Sequence, residues 1–290
     1  MAKLEEERIS YLNYLVRAYR RVTDVTAAMK NSLQSLPGDH PVKYDSILHR
    51  EGKEEGLLSV KGKIARMLEK ELEYFEVWTH WLKDVPGIGP AIAGELIMLY
   101  YYKYIPACKN CMTVLEKQDK TYWCSNCEKS VKGDGNLAFL LKEKDFPNIS
   151  KWWAYLGRDI KDGAMRKRKK GEQANWSGNG RRLGFIIGES FNKQEPEHLY
   201  KAVLLSEKAK YEESQPDISK GWRHNKAKNN AVKLFLAHFW TVARALDGKA
   251  ITEPYAMTIM GHTGYIRPFY SDHLALDSDD LLINEKQAVG

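Results

Sequence analysis

All four cysteines of the chain lie in one short segment, CKNCMTVLEKQDKTYWCSNC. They form two Cys-x-x-Cys pairs separated by twelve residues: Cys108, Cys111, Cys124 and Cys127. Thiolates two residues apart on a tight turn can chelate one ion, and a hairpin brings the second pair to the remaining corners of a tetrahedron. The spacing predicts an inserted zinc ribbon with short β-strands over residues 106–130, in which a structural Zn²⁺ supplies the folding energy.

Two alternatives use the same thiols differently. Two disulfides would also account for four cysteines, but a reducing intracellular compartment disfavours them. A redox-active Cys-x-x-Cys needs only one pair. Because protein thiolates fill all four positions in the zinc interpretation, the ion has no open site for water, and we expect no catalytic role for it.

A second chemical signal is the positive charge between Arg158 and Arg182. This stretch has nine Lys and Arg residues against three acids, a net +6, while the whole chain carries +7. Glycines and tryptophans accompany the cations, and this mixture suits a nucleic-acid groove, although a solvated charge run is the alternative. The residues that we expect to contact phosphates are Arg166, Lys167, Arg168, Lys169, Lys170, Arg181 and Arg182.

A glycine elbow, Gly87-Ile88-Gly89, follows Pro86 in the segment LKDVPGIGPAIAGELIML. Two helices joined by such a tight turn predict a helix-hairpin-helix, whose second helix begins with N–H groups that can bind a DNA phosphate. An ordinary helix–helix turn is the alternative. We therefore include the three elbow residues among the expected nucleic-acid contacts.

The elements that position these residues are predicted to be mainly α-helical. Apolar residues three or four apart run through residues 4–35 and again through residues 60–82, which predicts a long N-terminal helical hairpin. The same pattern suits a coiled coil, and therefore a homodimer contact, as well as a hairpin in its own core. Further helices are expected near residues 149–160, 196–213 and 222–246, with His238 as a core histidine in the last one.

The predicted domain organisation has four parts. They are the hairpin or coiled coil (1–83), a helical domain containing the helix-hairpin-helix (84–250), the ribbon inserted in it (106–130) and a C-terminal tail (251–290). The tail is acidic, with five acids and one lysine in residues 271–290.

The composition of the chain limits the class of protein to which it can belong. A chain of 290 residues with 43% hydrophobic and 11% aromatic residues is incompatible with wholesale disorder. No apolar run approaches the roughly 20 residues of a membrane span, and the N-terminus lacks an apolar signal core. We expect a soluble, cytoplasmic protein with no membrane partner.

Three segments in order resemble the C-terminal transposase domain of the insertion-sequence one-ten family. They are LEKELEYFEVWTHWLKDVPGIGPAIAGELI, SKWWAYLGRDIKDG and GWRHNKAKNNAVKLFLAHFWTVARALDG, within residues 60–250. The resemblance implies a helical coiled coil, a proline-glycine hairpin, a basic stretch and a closing helix. It also implies a DNA-binding, transposase-like protein of a mobile element, plasmid or virus.

The chain departs from that family at the catalytic positions. Members carry an RNase H-like domain with four acidic residues, whereas the residues before the hairpin here are predicted to be helical. Where the family has serine-serine-glycine, this chain has Lys161-Asp162-Gly163. Asp162 cannot simply replace a nucleophilic hydroxyl, and Ser177 in NWSGNG is the nearest serine. These two residues are the catalytic candidates for transposase chemistry, and Mg²⁺ is expected only if the protein is catalytically active.

Two other functions compete with the transposase interpretation. One is a catalytically inactive adaptor that only binds DNA or RNA, because no acidic cluster is apparent. The other is a tyrosine recombinase, which GWRH (221–224), MGHTG (260–264) and Tyr270 loosely resemble. In that class an arginine and a histidine bind the scissile phosphate while tyrosine attacks it.

Overall fold

A computed structural model describes residues 2–38, 47–49, 55–118, 121–132, 134–161, 164–165, 167–168, 170–172, 174–252, 266 and 268. Over these ranges the fold is mainly helical, as predicted. The helices are α1 (Ala2–Gln34), α2 (Leu57–Leu72), α3 (Glu76–His80), α4 (Pro90–Tyr101), α5 (Ile149–Tyr155), α6 (Gly178–Asn192), α7 (Leu199–Ser214) and α8 (Lys220–Leu246).

The strands form three small antiparallel sheets. They are β1 (Tyr102–Cys108), β2 (Glu116–Gln118), β3 (Thr121–Cys124), β4 (Lys129–Val131), β5 (Leu137–Glu143), β6 (Ile160–Lys161) and β7 (Ala164–Met165). β1 pairs with β5 along its full length, from Tyr102 opposite Glu143 to Cys108 opposite Leu137. The order β2-β3-β4 makes the second sheet, and β6 pairs with β7. The pairing of β1 with β5 extends the ribbon beyond its predicted bounds of 106–130.

The apolar face of α1 is buried in the core of the chain itself. Leu12 and Leu15 are almost fully buried, and they belong to the same cluster as Leu68 of α2 and Leu96 of α4. Each such side chain contributes about 1.5–3 kcal/mol through burial. Because this one cluster continues into α8, the hairpin shares its core with the remaining helices rather than forming a separate one.

The second predicted helix, residues 60–82, is interrupted in the structure. α2 ends at Leu72, and the extended backbone of Phe75 precedes the short α3. The change of direction lets Trp78 and Trp81 enter the core, where Trp81 stacks on Phe235 at 5.8 Å between ring centroids. Tertiary packing of the two tryptophans therefore overrides a pattern that suggests one continuous helix.

The closing helix α8 runs through the centre of the core. Ala227, Ala231, Phe235 and Val242 are fully buried, as its sequence pattern predicts. The alanines leave room for close helix packing, and the aromatic residues supply the large buried surface. This helix is therefore the rigid support on which α5, α6 and α7 are positioned.

Candidate metal centre and nucleic-acid interface

The four cysteine sulfurs converge on one point. All four lie within 4.8 Å of one another, so the group could hold a metal ion. Measured separations are 3.9 Å between Cys108 and Cys127, 3.5 Å between Cys111 and Cys124 and 3.4 Å between Cys111 and Cys127. A tetrahedral ion with Zn–S bonds of about 2.3 Å would separate its sulfurs by about 3.8 Å, so the donor set fits such an ion. The cysteines are free thiols without a disulfide.

Two matching turns present the thiols. Met112 follows the first pair with φ 57° and Glu128 follows the second pair with φ 49°, both in the left-handed region. In the first turn the Met112 amide donates to the Cys108 carbonyl at 2.8 Å, and in the second the Cys127 amide donates to the Cys124 sulfur at 3.4 Å. Non-glycine residues adopt this conformation only where the surroundings enforce it, which is consistent with a chelating turn at each pair.

The electrostatics of the four thiols favour a bound cation. The Thr113 hydroxyl lowers the pKa of Cys111 to about 5, whereas the neighbouring Cys111 group raises the pKa of Cys127 to about 12. Four thiolates at these separations repel one another strongly. A positive ion at the centre removes that repulsion and stabilises the fully deprotonated set.

The glycine elbow packs against α6. Gly87 has φ +89°, a conformation that favours glycine, and its carbonyl accepts a hydrogen bond of 2.6 Å from the Ser190 hydroxyl. Ile88 is buried, with 4% of its surface exposed, while Gly89 is exposed at the start of α4. Part of the elbow is thus a structural contact, and only its Gly89 end faces solvent.

The described cations of the consecutive basic run 166–170 are exposed. They are Lys167, Arg168 and Lys170, while Arg166 and Lys169 lie outside the described residues. The Arg168 guanidinium carbon lies 5.2 Å from the Trp176 ring centroid, and that of Arg181 lies 4.8 Å from the same ring. We call these three side chains the Trp176 cluster. It sits directly before and within the first turn of α6, where helix N–H groups also favour anions.

Two of the other cations have internal partners. One guanidinium nitrogen of Arg182, Nη2, forms an ion pair with Glu95 of α4 and lies 2.7 and 2.6 Å from its two carboxylate oxygens. Arg158 is buried and donates to the Asn229 side chain at 2.9 Å and to the Arg181 carbonyl at 3.0 Å. Arg182 was predicted to contact phosphate, but its charge is already neutralised in this arrangement, so it contributes less to an anionic surface.

The elbow and the Trp176 cluster occupy opposite ends of α6. The cluster is at the N-terminal turn, whereas Gly87 contacts Ser190 near the C-terminus. About ten helical residues separate the two, roughly 15 Å along the axis. The two sets of expected nucleic-acid contacts therefore lie near the two ends of this helix rather than together.

The two catalytic candidates differ in what the structure describes. Ser177 is the N-cap of α6, and its hydroxyl accepts a 3.1 Å hydrogen bond from the Gly180 amide. This contact gives the serine a capping role. Asp162 lies outside the described residues.

The recombinase-like residues are only partly described. Arg223 pairs with Glu212 at 2.8 Å, and His262 and Tyr270 lie outside the described residues. His238 is a buried core histidine, as predicted: it contacts the Tyr200 hydroxyl at 2.9 Å and the Ile266 carbonyl at 2.7 Å. Desolvation lowers the pKa of His238 to about 4.

One group of cations was not predicted. Arg17, Arg20 and Arg21 of α1 face a cleft, and Arg20 donates to the Asn179 side chain at 2.8 Å in the first turn of α6. Their spacing of three and four residues on one helix face is visible in the sequence and could have indicated a basic stripe. The contact with Asn179 places this stripe beside the N-terminus of α6.

Comparisons with protein-family models, curated proteins and solved structures gave no match. Within the described ranges, none of the helices is long and apolar enough to cross a membrane.

Proposed function

We propose that the chain is a transposase-like protein that grips the backbone of DNA through the Trp176 cluster and the adjoining N-terminal turn of α6. The observation that carries this proposal is the placement of the Arg168 and Arg181 guanidinium groups 5.2 and 4.8 Å from the centroid of one tryptophan ring at a helix N-terminus. Guanidinium groups bind phosphate, and an aromatic ring offers a base a stacking surface. The mobile-element assignment rests on the ordered motifs of residues 60–250.

Neighbouring groups support the same surface. Lys167 and Lys170 add exposed positive charge beside the cluster. The Tyr155 carbonyl accepts from the Ser177 amide at 2.7 Å, which fixes the start of α6 against α5. Because a preorganised surface loses little entropy on binding, these contacts favour a backbone grip. Gly89, which is exposed at the start of α4, and Arg166 and Lys169 remain predicted phosphate contacts.

The four-cysteine module is proposed to bind structural Zn²⁺. Cys108, Cys111, Cys124 and Cys127 would fill the coordination sphere, so the ion would supply folding energy rather than chemistry. Among the described residues, the cluster around the thiols adds Leu115 and Val131 as buried side chains and Tyr122 and Leu137 as partly buried ones, and this small size supports the role because such a core is too small to fold alone.

A non-catalytic adaptor is the second candidate. It is favoured by the capping hydrogen bond of Ser177, which gives this serine a structural function. An adaptor would use the same cationic surface without cutting or joining DNA. The two candidates differ in chemistry and not in the proposed grip.

The grip is tested by measuring the affinity of the full chain for duplex DNA by fluorescence anisotropy across a salt series. The variant Lys167→Gln/Arg168→Gln removes two exposed cations, and Lys208→Gln/Lys220→Gln makes the same charge change at exposed positions of α7 and α8. If each contact contributes about 0.7 kcal/mol, the first variant weakens binding by about tenfold. The slope of its log affinity against log salt concentration should be less steep than that of the parent chain by about two.

Equal affinities for the two double variants would contradict the proposed location of the grip. Tighter binding of single-stranded RNA than of duplex DNA would assign the surface to RNA instead. Incubation with supercoiled DNA and Mg²⁺ or Mn²⁺ separates the two candidates. Nicked or joined products support the transposase-like enzyme, and binding without products supports the adaptor.

A further inference from the structure

A cleft between α1, α4 and β1 has a volume of about 570 Å³. This lies within the range of roughly 300–1,000 Å³ that small-molecule sites occupy. α1 supplies one wall, and the beginning of β1 and the residues after β5 supply the other. None of the Trp176 cluster residues lines it, but Asn179 in the N-terminal turn of α6 does, so the cleft adjoins the proposed grip.

Positive charge dominates the cleft. Its lining cations are Arg17, Arg20, Arg21, Lys103 and Lys144. Among the described residues, no ion pair joins any of these five side chains to an acid. Of the two acids that line the cleft, Glu95 is held by the ion pair with Arg182 and Asp24 is exposed. The cleft therefore has an excess of cations that an anionic ligand could neutralise.

Lys144 lies at the inner end of this charge cluster. Its ammonium donates to the Leu99 carbonyl and, at 3.2 Å, to the Tyr155 hydroxyl, both of which are neutral groups. Burial, followed by the charge of Lys103, lowers the pKa of Lys144 to about 7. A half-buried ammonium without a carboxylate partner is stabilised by an anion that enters the cleft.

Two tyrosines give the cleft an aromatic component. Tyr102 and Tyr104 both line it and are half-buried. The Tyr104 hydroxyl donates a 3.3 Å hydrogen bond to Ser10 of α1, which ties its ring to this helix about two turns before Arg17. Cations beside aromatic rings suit a ligand that combines phosphate with a planar base.

We propose that this cleft binds the phosphate of a nucleotide, with Arg17, Arg20, Arg21 and Lys144 around the phosphate and the tyrosines beside the base. The phosphate ester has two sources, a free mononucleotide or the 5′-phosphorylated end of a nucleic-acid strand. The proposal does not depend on the Trp176 cluster, because the two sets of residues are separate.

The test is calorimetric titration of the full chain with defined probes. They are deoxyadenosine 5′-monophosphate, deoxyadenosine, inorganic phosphate and a short oligonucleotide with either a 5′-phosphate or a 5′-hydroxyl. The nucleotide is expected to bind more tightly than the nucleoside. Arg17→Gln/Arg21→Gln, at exposed positions, is expected to weaken nucleotide binding by at least about tenfold, the factor for one lost charge-assisted hydrogen bond. The matched control, Lys208→Gln/Lys220→Gln, should bind like the parent chain.

Lys144→Gln provides a second variant, which should also weaken nucleotide binding while its helical circular-dichroism signal is retained. Preference for the 5′-phosphorylated oligonucleotide over the mononucleotide identifies a strand end as the source, and equal affinity identifies a free nucleotide. No binding by the parent chain, equal binding of nucleoside and nucleotide, or full affinity in Arg17→Gln/Arg21→Gln would overturn the proposal. If the Lys167→Gln/Arg168→Gln variant binds duplex DNA more weakly but binds the nucleotide like the parent chain, the two ligands use different residues.

Discussion

The buried histidine of α8 predicts a specific pH dependence of stability. The His238 side chain is 1% exposed. One of its ring nitrogens accepts a hydrogen bond from the Tyr200 hydroxyl, and the other donates one to the Ile266 carbonyl. The loss of hydration on burial favours the neutral ring in the folded state and outweighs the hydrogen bond to the Ile266 carbonyl, which favours the charged ring.

The magnitude follows from the two pKa values of this histidine. Its pKa is about 4 when folded, against 6.5 for an ordinary histidine. Between pH 6.5 and pH 4 the unfolded chain therefore binds a proton at His238 that the folded chain does not bind. The free energy of unfolding has its full value above pH 6.5 and falls as the pH drops towards 4. At about 1.4 kcal/mol per pH unit, the loss is roughly 3 kcal/mol.

The assay is urea unfolding at a series of pH values for the parent chain and His238→Gln. Glutamine can still donate to the Ile266 carbonyl but does not titrate. The parent should be the more stable protein at pH 7, and this advantage should shrink by about 3 kcal/mol at pH 4. Since carboxylates titrate in both proteins, the difference between them isolates His238. A constant difference across this pH range would refute the assigned burial and hydrogen bonding.

Three further predictions concern the metal centre, the elbow and the α6 cap. Chelation, or Cys111→Ser, should abolish metal binding and unfold residues 102–143 while most helical signal remains; a metal-free chain whose strands keep their amide protection would contradict this. Gly87→Ala should lower stability by at least about 1–2 kcal/mol because of its φ of +89° and the nearby Ser190 hydroxyl, whereas Gly89→Ala, where a Cβ would meet nothing within 4 Å, should be nearly neutral in chemical unfolding. Ser177→Ala should cost about 1 kcal/mol of stability by removing the cap, and loss of DNA cleavage without loss of stability would instead assign the hydroxyl to catalysis.

Local patterns in the sequence predicted part of the fold. The cysteine spacing predicted a compact metal-binding turn pair because chelation is set by a few neighbouring residues. The apolar period of residues 222–246 predicted α8, since a buried helix face repeats at the helical period. The same reasoning predicted α1 within two residues at each end.

The helix α6 was not predicted from the sequence because it contains several glycines. The sequence patterns predicted no helix between residues 160 and 196, but Arg181 and Arg182 belong to α6. Gly180 and Gly184 lower helix propensity, yet a Cβ at these positions would meet Leu156 at 2.4 Å and Arg158 at 2.6 Å. Close packing requires the glycines, and this requirement is a tertiary property that the local sequence does not display.

The cationic cleft as a whole could not be predicted from the sequence, although the spacing of its α1 arginines is visible there. Its walls come from residues near positions 17–21, 103 and 144, which only the packing of α1 against α4 and the pairing of β1 with β5 bring together. The basic run 166–170 is visible in the sequence because its charges are consecutive. Charges assembled from distant segments produce no such signal.

Photocrosslinking of the full chain to a bromodeoxyuridine-substituted DNA duplex, followed by mass spectrometry of the peptides, tests the nucleic-acid surface most directly. The proposed grip predicts crosslinks in the peptide that contains Trp176, and their reduction in Lys167→Gln/Arg168→Gln. Crosslinks confined to the four-cysteine module or to α7, with none near Trp176, would contradict the assignment.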